Sequence, residues 1–205
     1  MTSITNLSVH HASTAAQLHI AGQPGTFLTR LGPDVLTVLY QVLPQSTLGF
    51  GFAATGRCHE IQGFVSATTS VGHLFTQLGT RYLGQFLPPL FNRFVRQPTL
   101  LFQSIQTVFY PFLARDHHTT RAQSSAELLS IMVEPSRRGQ GIGTTLLQAL
   151  VAECNHRAIT ALDVTVDAQN RGARRFYERH HFVFQKQFQL YGRTMCLYRR
   201  AVLDS

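Results

Sequence analysis

The spacing of apolar and polar positions divides most of the chain into strand-length and helix-length patterns. After a polar start, residues 27–43 ("FLTRLGPDVLTVLYQVL") place apolar side chains at helical spacing. Gly32-Pro33-Asp34 within that run predicts the start of a second helix, which Pro44 ends. Two β-rich runs follow, "LGFGFAA" (48–54) and "EIQGFVSATT" (60–69), with Thr55-Gly56-Arg57-Cys58-His59 between them as a hairpin turn. "AELLSIMVE" (126–134) predicts a third strong strand, stopped by Pro135. A helix is then expected over 142–156, on Ile142, Leu146, Leu147, Leu150 and Val151, before a strand at 159–166. Residues 170–180 return to helix, and 183–202 read as two strands joined around Tyr191-Gly192-Arg193. Strand, loop, helix, strand in this order predicts a mixed α/β sheet.

Residues 71–115 break this rhythm. They carry aromatic side chains from Phe75 to Phe112, together with Arg81, Arg93, Arg96 and Arg115, and no acid. Pro88-Pro89 and Pro98 divide the segment into helical pieces too short to span a bilayer. Two roles fit such pieces: helices whose aromatic face packs on the domain or across a dimer, or a lid that walls a ligand pocket.

Composition narrows the class. A chain of 205 residues that is 44% hydrophobic can bury a full core, as one domain or one domain with a large insertion. Its net charge of +8 comes from seventeen arginines and one lysine, Lys186, against ten acids, so guanidinium chemistry dominates the positive surface. Residues 1–125 hold seven basic and three acidic side chains, and residues 126–205 hold eleven and seven, so the excess is no tail. An anionic cofactor, an acidic substrate, nucleic acid and an anionic membrane all suit this balance. Cys58, Cys154 and Cys196 are odd in number and widely spaced, which suggests neither a disulfide framework nor a zinc site and points to a reducing, cytoplasmic setting. No signal peptide or spanning helix is expected.

The densest chemistry lies in Ser136-Arg137-Arg138-Gly139-Gln140-Gly141-Ile142-Gly143-Thr144-Thr145. Glycines at 139, 141 and 143 remove side chains where a loop enters a helix, so backbone N–H groups and the helix dipole can face an anion. A tight turn without a ligand is the plain alternative. The loop lacks the lysine of a nucleotide-triphosphate P-loop. A dinucleotide fingerprint stays in view because Asp163 lies downstream at a suitable distance, although Glu134 to Arg138 separate the strand from the glycines.

Arg138-Gly139-Gln140-Gly141-Ile142-Gly143 resembles the R/Q-x-x-G-x-G/A signature of the GNAT superfamily of acyl-CoA-dependent N-acyltransferases. A second motif, Asn170, Ala173, Tyr177-Glu178 and Phe182, resembles that family's later signature. The resemblance is strong over 126–200 and weaker over 27–69. It implies a single domain over 1–205 with the α/β (α+β) GNAT fold: a mixed, mostly antiparallel sheet with splayed central strands, flanked by helices, plus a helical insertion at about 71–118. It also implies acetyl-CoA as co-substrate and no metal.

By the same resemblance, the backbone near Ile131, Met132 and Val133 pairs with the pantetheine arm, and the Val133 N–H polarises the thioester carbonyl. The amides of Gly139, Gln140, Gly141, Ile142, Gly143 and Thr144 take the pyrophosphate, with charge from Arg138. Asn170 and Ala173 flank the arm, and Asn170 is equally suited to capping its helix. Tyr177 stands where many relatives hold the acid that protonates the departing thiolate, or is a packed helix tyrosine. Glu127, eleven residues before Arg138, is the leading base candidate, or an exposed charge at a strand end. Glu60 and the histidine pairs 10–11, 117–118 and 180–181 are weaker candidates. His181 occupies the place of a family glycine, so it must adopt a left-handed conformation or the helix must end differently.

The expected activity is acetyl transfer from acetyl-CoA to a primary amine of a small molecule such as an amino sugar or amino acid. Long-chain transfer from acyl-CoA or acyl carrier protein is the alternative enzyme. A CoA-binding or basic peripheral membrane- or nucleic-acid-binding module is the non-enzyme alternative. The favoured partners are a small amine and no nucleic acid, with peripheral membrane contact left open and a monomer or homodimer as the assembly.

Overall fold

Residues 61–68 are buried almost without interruption, so the strand they form is covered on both faces. The computed structural model describes residues 2–58, 60–80, 82, 84, 91, 124–190 and 192–202. Its strands are β1 (Ser3–Asn6), β2 (Gly49–Thr55), β3 (Ile61–Thr68), β4 (Ser125–Val133), β5 (Ala161–Asp167), β6 (Val183–Leu190) and β7 (Arg193–Ala201). They form one sheet in the order β1-β2-β3-β4-β5-β7-β6, antiparallel throughout except for the parallel pair β4–β5. The helices are α1 (Ala12–Gly22), α2 (Phe27–Leu31), α3 (Pro33–Val42), α4 (Val71–Thr80), α5 (Ile142–His156) and α6 (Arg171–Arg179).

Side-chain alternation distributes the core between two faces. Ala53 and Phe64 join Ala15, Ala16, Leu36 and Tyr40 under α1 and α3, while their neighbours Ala54 and Val65 join Leu146, Leu147 and Leu150 under α5. The helix run at 27–43 is broken at Gly32, with Pro33 opening α3, as its spacing predicts. Strand β1 and helix α1 arise from the polar start, where the sequence pattern predicts no element. β1 is short and largely exposed. α1 buries Ala12, Ala15, Ala16 and His19, an i, i+3, i+4, i+7 stripe whose small side chains give little apolar contrast. Of the predicted helical insertion, α4 is its first ten residues. The rest, with Pro88-Pro89, Pro98 and the histidine pair 117–118, lies outside the described residues apart from positions 82, 84 and 91. All three cysteines are free thiols. Among the described residues, no helix is long and apolar enough to cross a membrane.

Two irregularities of β4 position everything that follows. Its pairing with β3 runs Gly63↔Val133 to Ser66↔Ser130 and resumes at Ala67↔Leu128, leaving Leu129 without a partner as a β-bulge. Ala126 and Leu128 therefore face α5, whereas Ser130 and Met132 lie on the α1–α3 side. At the same place the parallel ladder with β5 ends: Ser125↔Ala161 to Leu128↔Val164 are paired, while β4 continues to Val133 and β5 to Asp167. The central strands are splayed from there onward.

The bulge is tied to the helices by a buried polar cluster. His19 Nδ1 and the Tyr40 hydroxyl share a 2.6 Å hydrogen bond, and the Tyr40 hydroxyl donates to Ser130 Oγ at 3.1 Å. His19 is 1% exposed and its Nε2 has no partner among the described residues. Burial lowers its pKa from 6.5 to about 4. The folded state thus holds His19 neutral, and stability from this group is lost as pH falls from 6.5 towards 4, where the unfolded chain takes up the proton first. Urea unfolding should show His19 costing about 2 kcal/mol between pH 7.5 and pH 5, a share of the pH slope that His19→Gln removes. Parallel slopes in the two proteins would contradict a neutral buried imidazole.

Candidate functional site

The gap between β4 and β5 opens into a cleft of about 990 Å³. Its walls are the turn after α1 (Gly22 to Thr26), the loop from Arg137 to Thr144, and α6. The Glu134 N–H donates to the Gln62 carbonyl at 2.8 Å, so alternation along an antiparallel strand also turns the Met132 backbone towards β3. Ile131 and Val133 then turn their N–H and C=O groups towards the gap, where β5 is no longer paired. Of the three residues expected along the pantetheine arm, Met132 differs: its backbone serves the sheet, and its side chain is buried towards α1.

A short 3₁₀ turn, Pro135–Arg137, carries the chain from β4 into the glycine loop. Gly139 and Gly141 have φ of +79° and +82°, the left-handed region in which a side chain is strained. Gly141 caps α5, and the Thr145 N–H is the first to donate back into the helix, to the Gly141 carbonyl at 3.0 Å. The N–H groups of Ile142, Gly143 and Thr144 in the first turn have no intrahelical acceptor. Gly143 is different in kind: a Cβ there would make ordinary contact with Phe176 at 3.5 Å. Arg138 Nε donates to the Val133 carbonyl at 3.3 Å, which places the guanidinium beside the loop. The Gln140 side chain folds back towards the Ser136 carbonyl and does not line the cleft. Arg137, Arg138, Arg179 and Arg193 border the cleft, against one acid, Asp167, which is ion-paired to Arg193 at 3.1 Å.

Helix α6 supplies the opposite wall. Asn170 Oδ1 accepts the Ala173 N–H at 3.0 Å, so Asn170 caps the helix, and both residues line the cleft. Tyr177 lies between Phe176 and Phe182 in edge-to-face contacts, with ring centroids 5.4 and 5.3 Å apart. It is 5% exposed yet borders the cleft, and burial raises its pKa well above the ordinary tyrosine value. Arg174 Nε donates to the Tyr198 hydroxyl at 2.9 Å, and that hydroxyl donates to Glu178 at 2.8 Å, which fixes α6 on the sheet. His181 does adopt the left-handed conformation, φ +66°, and the Phe182 N–H closes the helix end on the Tyr177 carbonyl at 3.0 Å.

Glu127 stands apart from Tyr177. It lines a smaller pocket of about 190 Å³ on the α1–α3 side, with Tyr40, Ser66 and Ser130, and it pairs in register with Thr68 and Asp163. This pocket and the main cleft share Leu128, Leu129, Ser130 and Thr165, where the splay begins. Among the weaker candidates, Glu60 and His10–His11 line neither space. His180 lines the cleft, bonded to Thr144 at 3.2 Å and packed on Phe176. Sequence reasoning missed His19, Tyr40, Ser130 and Arg179. The small-residue stripe of α1 that holds His19 gives too little apolar contrast to mark it, and no local motif marks the others.

Comparison with known proteins agrees with this geometry. Residues 109–182 match the model of the acetyltransferase (GNAT) family. An uncharacterized N-acetyltransferase of Methanocaldococcus jannaschii is 37% identical over 57 residues, 28% of this chain and 25% of that protein, so the matched stretch spans a quarter of the relative's length. Among solved structures, Arabidopsis thaliana NAA60 in complex with acetyl-CoA superposes with a TM-score of 0.63 at 14% identity, covering 98% of both chains. The ribosomal-protein-S18-alanine N-acetyltransferase from Escherichia coli gives 0.59 at 15% identity, covering 100% of this chain and 96% of that one. Sheet order, the splay and the glycine loop agree with these matches: residues 109–182 carry the acetyltransferase (GNAT) family pattern, and the chain shares the fold of the solved acetyltransferases.

Proposed function

We propose that the chain is an N-acetyltransferase that moves an acetyl group from acetyl-CoA to a primary amine of a small molecule. The observation that supports this most is the unpaired edge of β4 leading directly into bare amides at the start of α5. The donor set fits a phosphate-bearing ligand, because unpaired N–H groups and arginines face one cleft with a single paired acid. When bound, acetyl-CoA supplies an activated thioester at the end of a long amide-containing arm.

In this reading the amides of Gly139 to Thr144 hold the diphosphate, and Arg138 adds charge. Ile131 and Val133 orient the arm as an added strand would be oriented. The Val133 N–H faces the position where oxyanion charge develops. Asn170 and Ala173 bound the arm at α6, and the small side chain of Ala173 leaves it room. Burial raises the pKa of Tyr177, so its Oη stays protonated at neutral pH, and in this reading it holds the proton for the departing sulfur. Glu127, in the paired part of β4 just before the splay, receives the proton that the amine gives up.

Gly141→Glu should abolish acetyl-CoA binding in calorimetry, because it strains a left-handed residue and puts a carboxylate among phosphate donors. Gly143→Ala should bind within about threefold of wild type, since its Cβ meets only ordinary contacts. Equal losses in both variants would separate the glycine loop from phosphate binding.

Tyr177→Phe keeps the ring packing and removes the proton donor. Turnover should fall by about 100-fold with acetyl-CoA affinity nearly unchanged. A kcat close to wild type would remove Tyr177 from the chemistry.

A further inference from the structure

The smaller pocket is a compartment of its own. Phe27, Leu39, Leu43, Val71, Leu74 and Leu190 are among the apolar residues of its wall, and it joins the cleft where the β4–β5 ladder ends. At about 190 Å³ it is somewhat larger than an engineered cavity of about 150 Å³ that binds benzene. One wall atom is out of place in an apolar setting: Ser66 is fully buried and its Oγ has no partner among the described residues. An unpaired buried hydroxyl is costly, and a ligand atom within reach of it would relieve that cost. The Ser130 and Tyr40 hydroxyls beside it are already bonded to each other and to His19, so this wall is preorganised.

We propose that this pocket receives the apolar group of the acceptor, aryl or branched-alkyl in size, so that the substrate is a primary amine with a hydrophobic tail. The inference rests on the N-acetyltransferase reading for its direction: with the tail in the pocket, the amine points to the splay. Glu127 on the pocket wall supplies a carboxylate at the amine end of such a molecule. A sugar or polyamine would have to strip water from hydroxyls or charges to enter a wall that is mostly apolar, with Ser66 the unpartnered buried hydroxyl on it among the described residues.

Binding of ethylamine, isoamylamine, phenethylamine, glucosamine and spermidine to the full chain, measured by calorimetry without donor, tests this directly. Affinity should rise about fourfold per methylene from ethylamine to isoamylamine, with phenethylamine among the tightest and glucosamine and spermidine weakest. Ser66→Leu fills the pocket and should cancel the preference for isoamylamine and phenethylamine by tenfold or more, while acetyl-CoA binds as before. Leu39→Phe narrows the same space from α3 and serves if Ser66→Leu does not fold. Equal affinity for ethylamine and phenethylamine overturns the proposal, as does a preference that survives both substitutions. If instead Ser66→Leu weakens hexanoyl-CoA but no amine, the pocket serves the donor's acyl chain and the proposal fails. Thiol release from acetyl-CoA is measured separately. Its absence with every amine would count against acetyl transfer, while the binding series still judges the pocket.

Discussion

The unpaired residue Leu129 is the constraint on which the rest of the structure depends. A strand that runs between two neighbours must normally use every backbone group in one ladder or the other. The bulge shifts β4 by one residue against β3, and past it the ladder with β5 stops at Leu128↔Val164. The backbone groups of Ile131 and Val133 are thereby left facing a gap in the middle of the sheet. A missing hydrogen-bond ladder in a protein interior is a defect unless solvent or a ligand completes it. Here the gap opens into the cleft of about 990 Å³.

Such a gap persists only because both of its sides are held from elsewhere. On the β4 side, the cluster of His19, Tyr40 and Ser130 ties the strand just past the bulge to α1 and α3. On the other, β5 is paired along its whole length with β7, and two ion pairs, Asp163 with Arg199 and Asp167 with Arg193, cross the same two strands. α5 packs on β2, β3 and β4, so its first turn is aimed at the end of β4. The amide-rich loop and the unpaired strand edge are thus consecutive in sequence and adjacent in space, with Pro135 making the turn between them.

The parts of this arrangement legible in the sequence are those written in local pattern. β2 to β7, α2, α3, α5 and α6 follow from periodicity and from proline and glycine punctuation. The glycine loop and the α6 motif stand out because particular residue types are needed at adjacent positions. The left-handed His181 was foreseeable too, because it occupies a helix exit that usually needs glycine. β1 and α1 were not legible. One is four residues long, and the other buries alanines and a histidine, so neither shows strong apolar contrast. The bulge is invisible in sequence for another reason: "AELLSIMVE" reads as an unbroken strand, and only the register against β3 reveals the extra residue. The cluster at 19, 40 and 130 joins three elements distant in sequence, so no motif spans it.

This division between legible and illegible parts separates two kinds of specificity. What the cleft offers an anionic ligand is mostly backbone: N–H groups at the start of α5 and along β4, exposed by glycines and by the splay. Backbone geometry depends on a few position-specific residues, so it leaves a short, readable motif. What the smaller pocket offers is side-chain shape and polarity drawn from α2, α3, α4, β3, β4 and β7. Such a surface can change one residue at a time without disturbing the sheet, and no single stretch of sequence describes it. The glycine loop can therefore stay fixed while substitutions reshape the pocket on the α1–α3 side. In this chain that pocket is apolar, backed by the neutral His19 and edged by Glu127.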